Sequence, residues 1–91
     1  MKKYIECGKI VSTHGIKGEV KIQPWTDDAE HLLKFDSFYL EANGKALAVD
    51  SSRVHKNMLM VKFKGISSMD EANEYRGKVL YINREEDPDD R

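Results

Sequence analysis

The clearest alternation in the chain is the run MLMVKFK at 58–64. Leu59, Val61 and Phe63 fall on one phase, and Met58, Met60, Lys62 and Lys64 on the other. A period of two over this length predicts a β-strand, and Gly65 ends it. Residues 19–26 alternate as cleanly, with Val20 and Ile22 set against Glu19, Lys21 and Gln23; Pro24 marks an edge or the end of regular pairing. A third clear case is 78–84, where Leu80 and Ile82 oppose Val79 and Tyr81. The first strand, 4–11, keeps Ile5 and Cys7 on one phase but puts Ile10 on the other, so a β-bulge or sharp bend is expected near Gly8. Strands at 37–41 and 45–54 complete the set, the second so weakly alternating that it is expected to bend or bulge.

Turn chemistry separates these runs. Asn43-Gly44 is a strong two-residue hairpin signal, and Lys56-Asn57 makes another turn. Between the first two strands, the segment 12–18 holds Gly15 and Gly18, which tolerate backbone conformations that branched residues resist. Two short helices interrupt the strands. Thr26 or Asp27 can cap a turn or two within 26–35, with acids in the first turn. Ser68 and Glu71 stand at capping-box spacing before a second helix that Gly77 stops. Six short strands with turns every eight to twelve residues favour an all-β fold, a six-stranded antiparallel β-barrel with one or two short helices. Closure removes the edges that an open sheet would have to protect.

Length and composition narrow the class. Ninety-one residues, 40% hydrophobic and 34% charged, fit one globular domain. No apolar run approaches the roughly 20 residues that span a bilayer. The start Met1-Lys2-Lys3 lacks an apolar stretch after its basic pair, so the expected compartment is the cytoplasm. The one cysteine, Cys7, cannot form an internal disulfide and reads as a small buried hydrophobe. The net charge of −1 hides an asymmetry: residues 1–84 carry fourteen basic and eleven acidic groups, while 85–91 are strongly acidic. A mildly basic body permits a phosphate-bearing partner without demanding one. Pro88 among acids reads as a tail or linker.

Catalytic and metal patterns are thin. His14, His31 and His55 are widely spaced and have no HxxxH or CxxC companion. The glycine loop matches neither a P-loop nor a dinucleotide fingerprint, and no serine sits in a nucleophile elbow. No cofactor, no metal and no catalytic residue are assigned, and the chain is not expected to be an enzyme. Two candidate contact surfaces remain. One is the loop with His14, Gly15 and Lys17; its plain alternative is a turn in which His14 bonds the backbone and Ile16 tucks under. The other is the outward phase of two strands, Met58 and Met60 with Val79 and Tyr81, bordered by Lys62 and Lys64, read as one exposed apolar face. Cover by the short helices or a further domain is the alternative there. Trp25 is a candidate interface anchor or a core residue.

The run Gly8-Lys9-Ile10-Val11 with His14-Gly15-Ile16-Lys17-Gly18-Glu19-Val20-Lys21-Ile22 resembles the N-terminal domain of the RimM ribosome maturation factors. So do the Thr26-Asp27 turn before Leu32-Leu33-Lys34-Phe35, and Glu71-Ala72-Asn73-Glu74-Tyr75-Arg76-Gly77 before Leu80-Tyr81-Ile82. The resemblance implies a barrel of the translation-factor type over 1–84, with 85–91 as an acidic linker toward a C-terminal PRC-type barrel. It also implies a non-catalytic role in assembling the head of the small (30S) ribosomal subunit and processing 16S rRNA, as a monomer binding small-subunit ribosomal protein nineteen. The competing reading is an OB-like barrel that contacts rRNA directly through Lys17, Lys62, Lys64 and Arg53. The expected contact residues are His14, Gly15, Lys17, Trp25, Met58, Met60, Lys62 and Tyr81.

Overall fold

The computed structural model describes residues 3–15, 17–40 and 44–88. Six strands follow in order: β1 (Tyr4–His14), β2 (Glu19–Pro24), β3 (Ser37–Tyr39), β4 (Ala46–His55), β5 (Met58–Phe63) and β6 (Val79–Asn83). They close an antiparallel barrel in the order β1-β2-β5-β4-β3-β6, the architecture expected from the alternation. Closure between β3 and β6 rests on the single pair Tyr39 and Tyr81. The Asn43 hairpin signal, Ile16 and the last three acidic-tail positions lie outside the described residues.

The core is the inward phase of each strand. Ile10, Val20, Ile22, Phe38, Leu59, Val61, Phe63 and Leu80 are fully enclosed. Phe38 and Phe63 meet edge to face with ring centroids 6.2 Å apart, a geometry that suits their quadrupoles. A 3-10 helix, Ala29–Lys34, contributes Leu32, and Phe35 follows it into the core. Its cap is Asp28, whose carboxylate accepts the His31 N–H, one residue after Asp27 and two after Thr26, the caps expected. Helix α1 (Met69–Asn73) contributes Ala72 and starts at Ser68, whose hydroxyl accepts the Glu71 N–H at 3.2 Å. The Glu71 carboxylate accepts from the Ser67 and Ser68 hydroxyls.

Bulges set the phases. β1 shifts register against β6 between Glu6 and Gly8, which is the slip expected near Gly8. A Cβ on Gly8 would lie 2.6 Å from the Gln23 carbonyl oxygen, so only glycine fits where β1 presses on β2. β1 shifts again, against β2, between Ile10 and Ser12. β4 shifts between Val49 and Ser51, so the weak alternation there is a bulge at Asp50. Lys56 and Asn57 both take positive φ, 51° and 65°, as a tight primed hairpin turn requires.

Register then assigns the outside of the sheet. Across β1, β2, β5 and β4, Ser12 pairs with Lys21, Lys21 with Met60, and Met60 with Arg53. In the next row Lys9 pairs with Gln23, and Met58 with His55. On the other side of the ring, Glu6 pairs with Tyr81 and Tyr81 with Tyr39. Tyr4 packs edge to face on Tyr39 at 5.1 Å.

Residues 84–87 follow β6 and lie against the barrel. Arg84–Glu86 forms a 3-10 turn. Lys3 pairs with Glu85 at 3.6 Å, the Tyr39 hydroxyl donates to Glu86 at 2.9 Å, and His31 Nε2 lies 3.0 Å from Asp87.

Candidate functional site

The β1–β2 turn is built against α1. Gly18 has φ +87°, and a Cβ there would stand 2.8 Å from the Ser68 carbonyl oxygen. A side chain at this position would meet both left-handed strain and a backbone clash. The turn is thereby seated on the residues that start the helix, and one wall of a cleft follows from it.

That cleft measures about 500 Å³ and is lined by His14, Gly15, Lys17, Glu19, Asp50, Ser51 and Lys62. β1 delivers His14, the turn delivers Gly15 and Lys17, and the β4 bulge turns Asp50 outward beside Ser51. Lys62 enters from β5, its ammonium donating to the Phe63 carbonyl at 2.9 Å and to the Ile66 carbonyl. These bonds hold the 63–66 turn in place, so Lys62 supports the cleft wall as well as charging it. Glu19 accepts from the Arg53 guanidinium at 3.0 Å across β5. The cleft therefore combines cations, two carboxylates and a hydroxyl on rigid strand ends, an arrangement suited to polar recognition.

Four of the eight expected contact residues, His14, Gly15, Lys17 and Lys62, come together here. The others do not. Trp25 lies beyond the far end of β2, half exposed, with its backbone N–H donating to the Cys7 carbonyl at 2.9 Å. The expected apolar face of Met58, Met60, Val79 and Tyr81 does not exist as one surface. β5 and β6 stand on opposite sides of the ring, separated by two strands in either direction. Met60, expected outside and exposed, is outside and buried, with 2% of its surface accessible. Lys21 and Arg53 flank it, and the aliphatic stems of long charged side chains cover apolar surface well. Tyr81 instead belongs with Tyr39 on the β3–β6 side. Sequence reasoning missed Glu19, Asp50 and Ser51; the broken alternation of β4 was the available signal for the last two.

Neither reactive-looking group favours covalent chemistry. Burial pushes the Cys7 thiol up to about 12, which suppresses the thiolate that a nucleophile needs. Tyr39 is raised from its ordinary value near 10, first by burial and then by its bond to the Glu86 carboxylate.

Comparison with known proteins assigns the fold to a lineage. Residues 5–87 match the family model described as the RimM N-terminal domain. The chain belongs to the RimM family. The RimM named ribosome maturation factor of Clostridium botulinum (strain Langeland) is 41% identical over 85 residues, which is 93% of this chain and 51% of that protein. Its counterpart in Caldicellulosiruptor bescii is 42% identical over 86 residues, again 93% and 51%. Thus the chain spans about half the length of these RimM relatives. The crystal structure of a Pseudomonas aeruginosa RimM, described as a 16S ribosomal RNA processing protein, superposes with a TM-score of 0.79 at 32% identity, covering 93% of this chain and 53% of that one. The solution structure of the RimM N-terminal domain from Thermus thermophilus gives 0.81 at 19% identity, covering 94% and 95%, and so shares the fold.

Proposed function

We propose that this RimM-family domain acts in maturation of the small ribosomal subunit as a non-catalytic binding module, in the cytoplasm, with the His14–Lys17 cleft as its protein-contact site. The carrying observation is the cleft itself: the turn that seats on α1 lines it together with the β4 bulge and Lys62. A binding role fits the chemistry, since the cleft offers hydrogen-bonding and charged groups on fixed strand ends and no activated nucleophile. The partner to test first is small-subunit ribosomal protein nineteen in the 30S head, with a second, PRC-type domain adding contacts of its own in the full-length relatives.

Amide chemical-shift mapping of the chain with that ribosomal protein tests the reading. Shifts are expected at 12–19, at Asp50 and Ser51, and at Lys62. Absence of any shift at the cleft, or shifts confined to the tyrosine-bearing side of the barrel, overturns it.

A further inference from the structure

Trp25 is the exposed aromatic that the His14–Lys17 cleft leaves without a role. It extends the outward phase of β2 with 51% of its surface accessible, while Pro24 before it is buried. Its backbone is pinned, because its N–H donates to the Cys7 carbonyl. A side chain with only two torsions thus stands on a fixed mount, which lowers the entropy cost of a contact. The chain then turns: the Thr26 hydroxyl accepts the Asp28 N–H, and the Asp28 carboxylate accepts the His31 N–H, both at 3.2 Å. Residues 23–24 and 26–30, on either side of Trp25, form one wall of a second cleft of about 530 Å³, and Val54 and Asn57 of the β4–β5 hairpin form the other. Asp27, Asp28 and Glu30 are exposed there, and the described lining holds no basic side chain. Among the described residues neither Asp27 nor Glu30 is in an ion pair, and no cation stands over the Trp25 ring.

We propose that Trp25 and this second cleft bind an arginine-bearing segment of a protein partner. The argument is charge complementarity around an aromatic anchor, the kind of residue on which protein interfaces centre. A guanidinium stacks on an indole face and at the same time donates its forked N–H groups to a carboxylate. Trp25 supplies the face, and Asp27 and Glu30 supply carboxylates not already spent on a cation. Other occupants fit less well. Phosphate of a nucleic acid is repelled by three carboxylates within a screening length. An apolar ligand would strip water from those carboxylates and leave them unpaired. A second copy docking by the same end would bring like charge to like charge. The site goes beyond the His14–Lys17 contact and lies at the other end of β2, so one strand carries a recognition point at each end.

The test is a titration of the 91-residue chain with a short peptide of alternating arginine and glycine, and with its lysine and glutamate counterparts. Trp25 is the one tryptophan in the sequence, so its emission reports on this site alone; amide shifts and calorimetry supply the location and the affinity. A saturable change in Trp25 emission is expected with the arginine peptide, with shifts at 23–30 and 54–57 and tighter binding than the lysine peptide shows. Trp25→Ala is expected to weaken binding about fivefold. The double variant Asp27→Asn/Glu30→Gln is expected to weaken it at least about fivefold, and it leaves the Asp28 cap in place. Glu74→Gln, which removes a charge at the end of α1, should bind as the parent does and so controls for net charge. Unchanged Trp25 emission, full affinity in Trp25→Ala, or equal binding of the glutamate peptide overturns the proposal. So do shifts confined to 12–19, which would leave the His14–Lys17 reading standing by itself. Self-association of the chain that buries Trp25, seen by sedimentation, also overturns it and makes a second copy the occupant.

Discussion

The two outer sides of the barrel cover the same closed sheet by opposite means. On the β2–β5–β4 side, Lys21 and Arg53 flank Met60, which is buried although it lies on the outward phase. On the β1–β6–β3 side, tyrosines pack on one another and the acidic segment after β6 returns to bond them. On the first side Arg53 stays half exposed even in its pair with Glu19, so its charge can still meet a partner. The other uses its polar ends on itself. Position in the ring, and not hydrophobicity alone, thus decides which surface is left for recognition.

The largest test of this contrast is Gly8→Ala, at the point where β1 passes from pairing with β6 to pairing with β2. The added Cβ meets the Gln23 carbonyl at 2.6 Å, and overpacking against backbone is expected to cost about 3 kcal/mol. Urea unfolding checks it; an effect below about 0.5 kcal/mol means that the two sides are not tied together there. Next comes Met60→Ala, which removes a buried side chain lying outside the barrel. A loss of about 2 kcal/mol is expected, and the half-buried Met58→Ala should cost clearly less. Equal effects would show that the cations give Met60 no special cover.

Tyr39→Phe probes the self-bonded side. Losing the hydroxyl that donates to Glu86 is expected to cost about 0.5–1 kcal/mol at neutral pH. The folded-state pKa of Tyr39 is raised above its ordinary value near 10. Its contribution is therefore complete below that value and is lost as pH rises through the higher folded one. Phenolate absorbance should show Tyr39 titrating late, a component that Tyr39→Phe removes. Alkaline destabilisation in that variant should persist in part, because Cys7 is shifted in the same direction, to about 12. The smallest effect belongs to Lys21→Ala, about 0.5 kcal/mol in thermal melts, from lost cover over Met60. No effect at all would show that the Lys21 stem gives Met60 no cover.

Much of this was open to reading from the residues. Alternation at 19–24, 58–63 and 79–83 located β2, β5 and β6 within a residue or two, because the core-facing residues of each share one phase and the period is unambiguous. The slip at Gly8 and the irregularity of 45–54 both mark real bulges. β1 runs three residues further than expected, to His14, since a second bulge after Ile10 resets its phase and lets pairing with β2 continue. The contact surface was harder. Phase tells which way Met60 points, but its burial depends on Lys21 and Arg53, which are neighbours only after β2, β5 and β4 are assembled. Likewise, β5 and β6 look alike in sequence, and only the ring order sets them on opposite sides. Strand order is a long-range property, and local pattern does not encode it.

The placement of β1 also has a consequence in time. It is the first strand to be synthesised, and one of its two partners, β6, is the last. At about 5–20 residues per second, translation leaves the β6-facing edge of β1 without its mate for several seconds. An open edge is an invitation to pair with another chain. Glu6 and Lys9, exposed along that edge, and the bulge between Glu6 and Gly8 are the devices that blunt such edges. The irregularity that shapes the folded barrel thus also guards the nascent chain while its ring stands open.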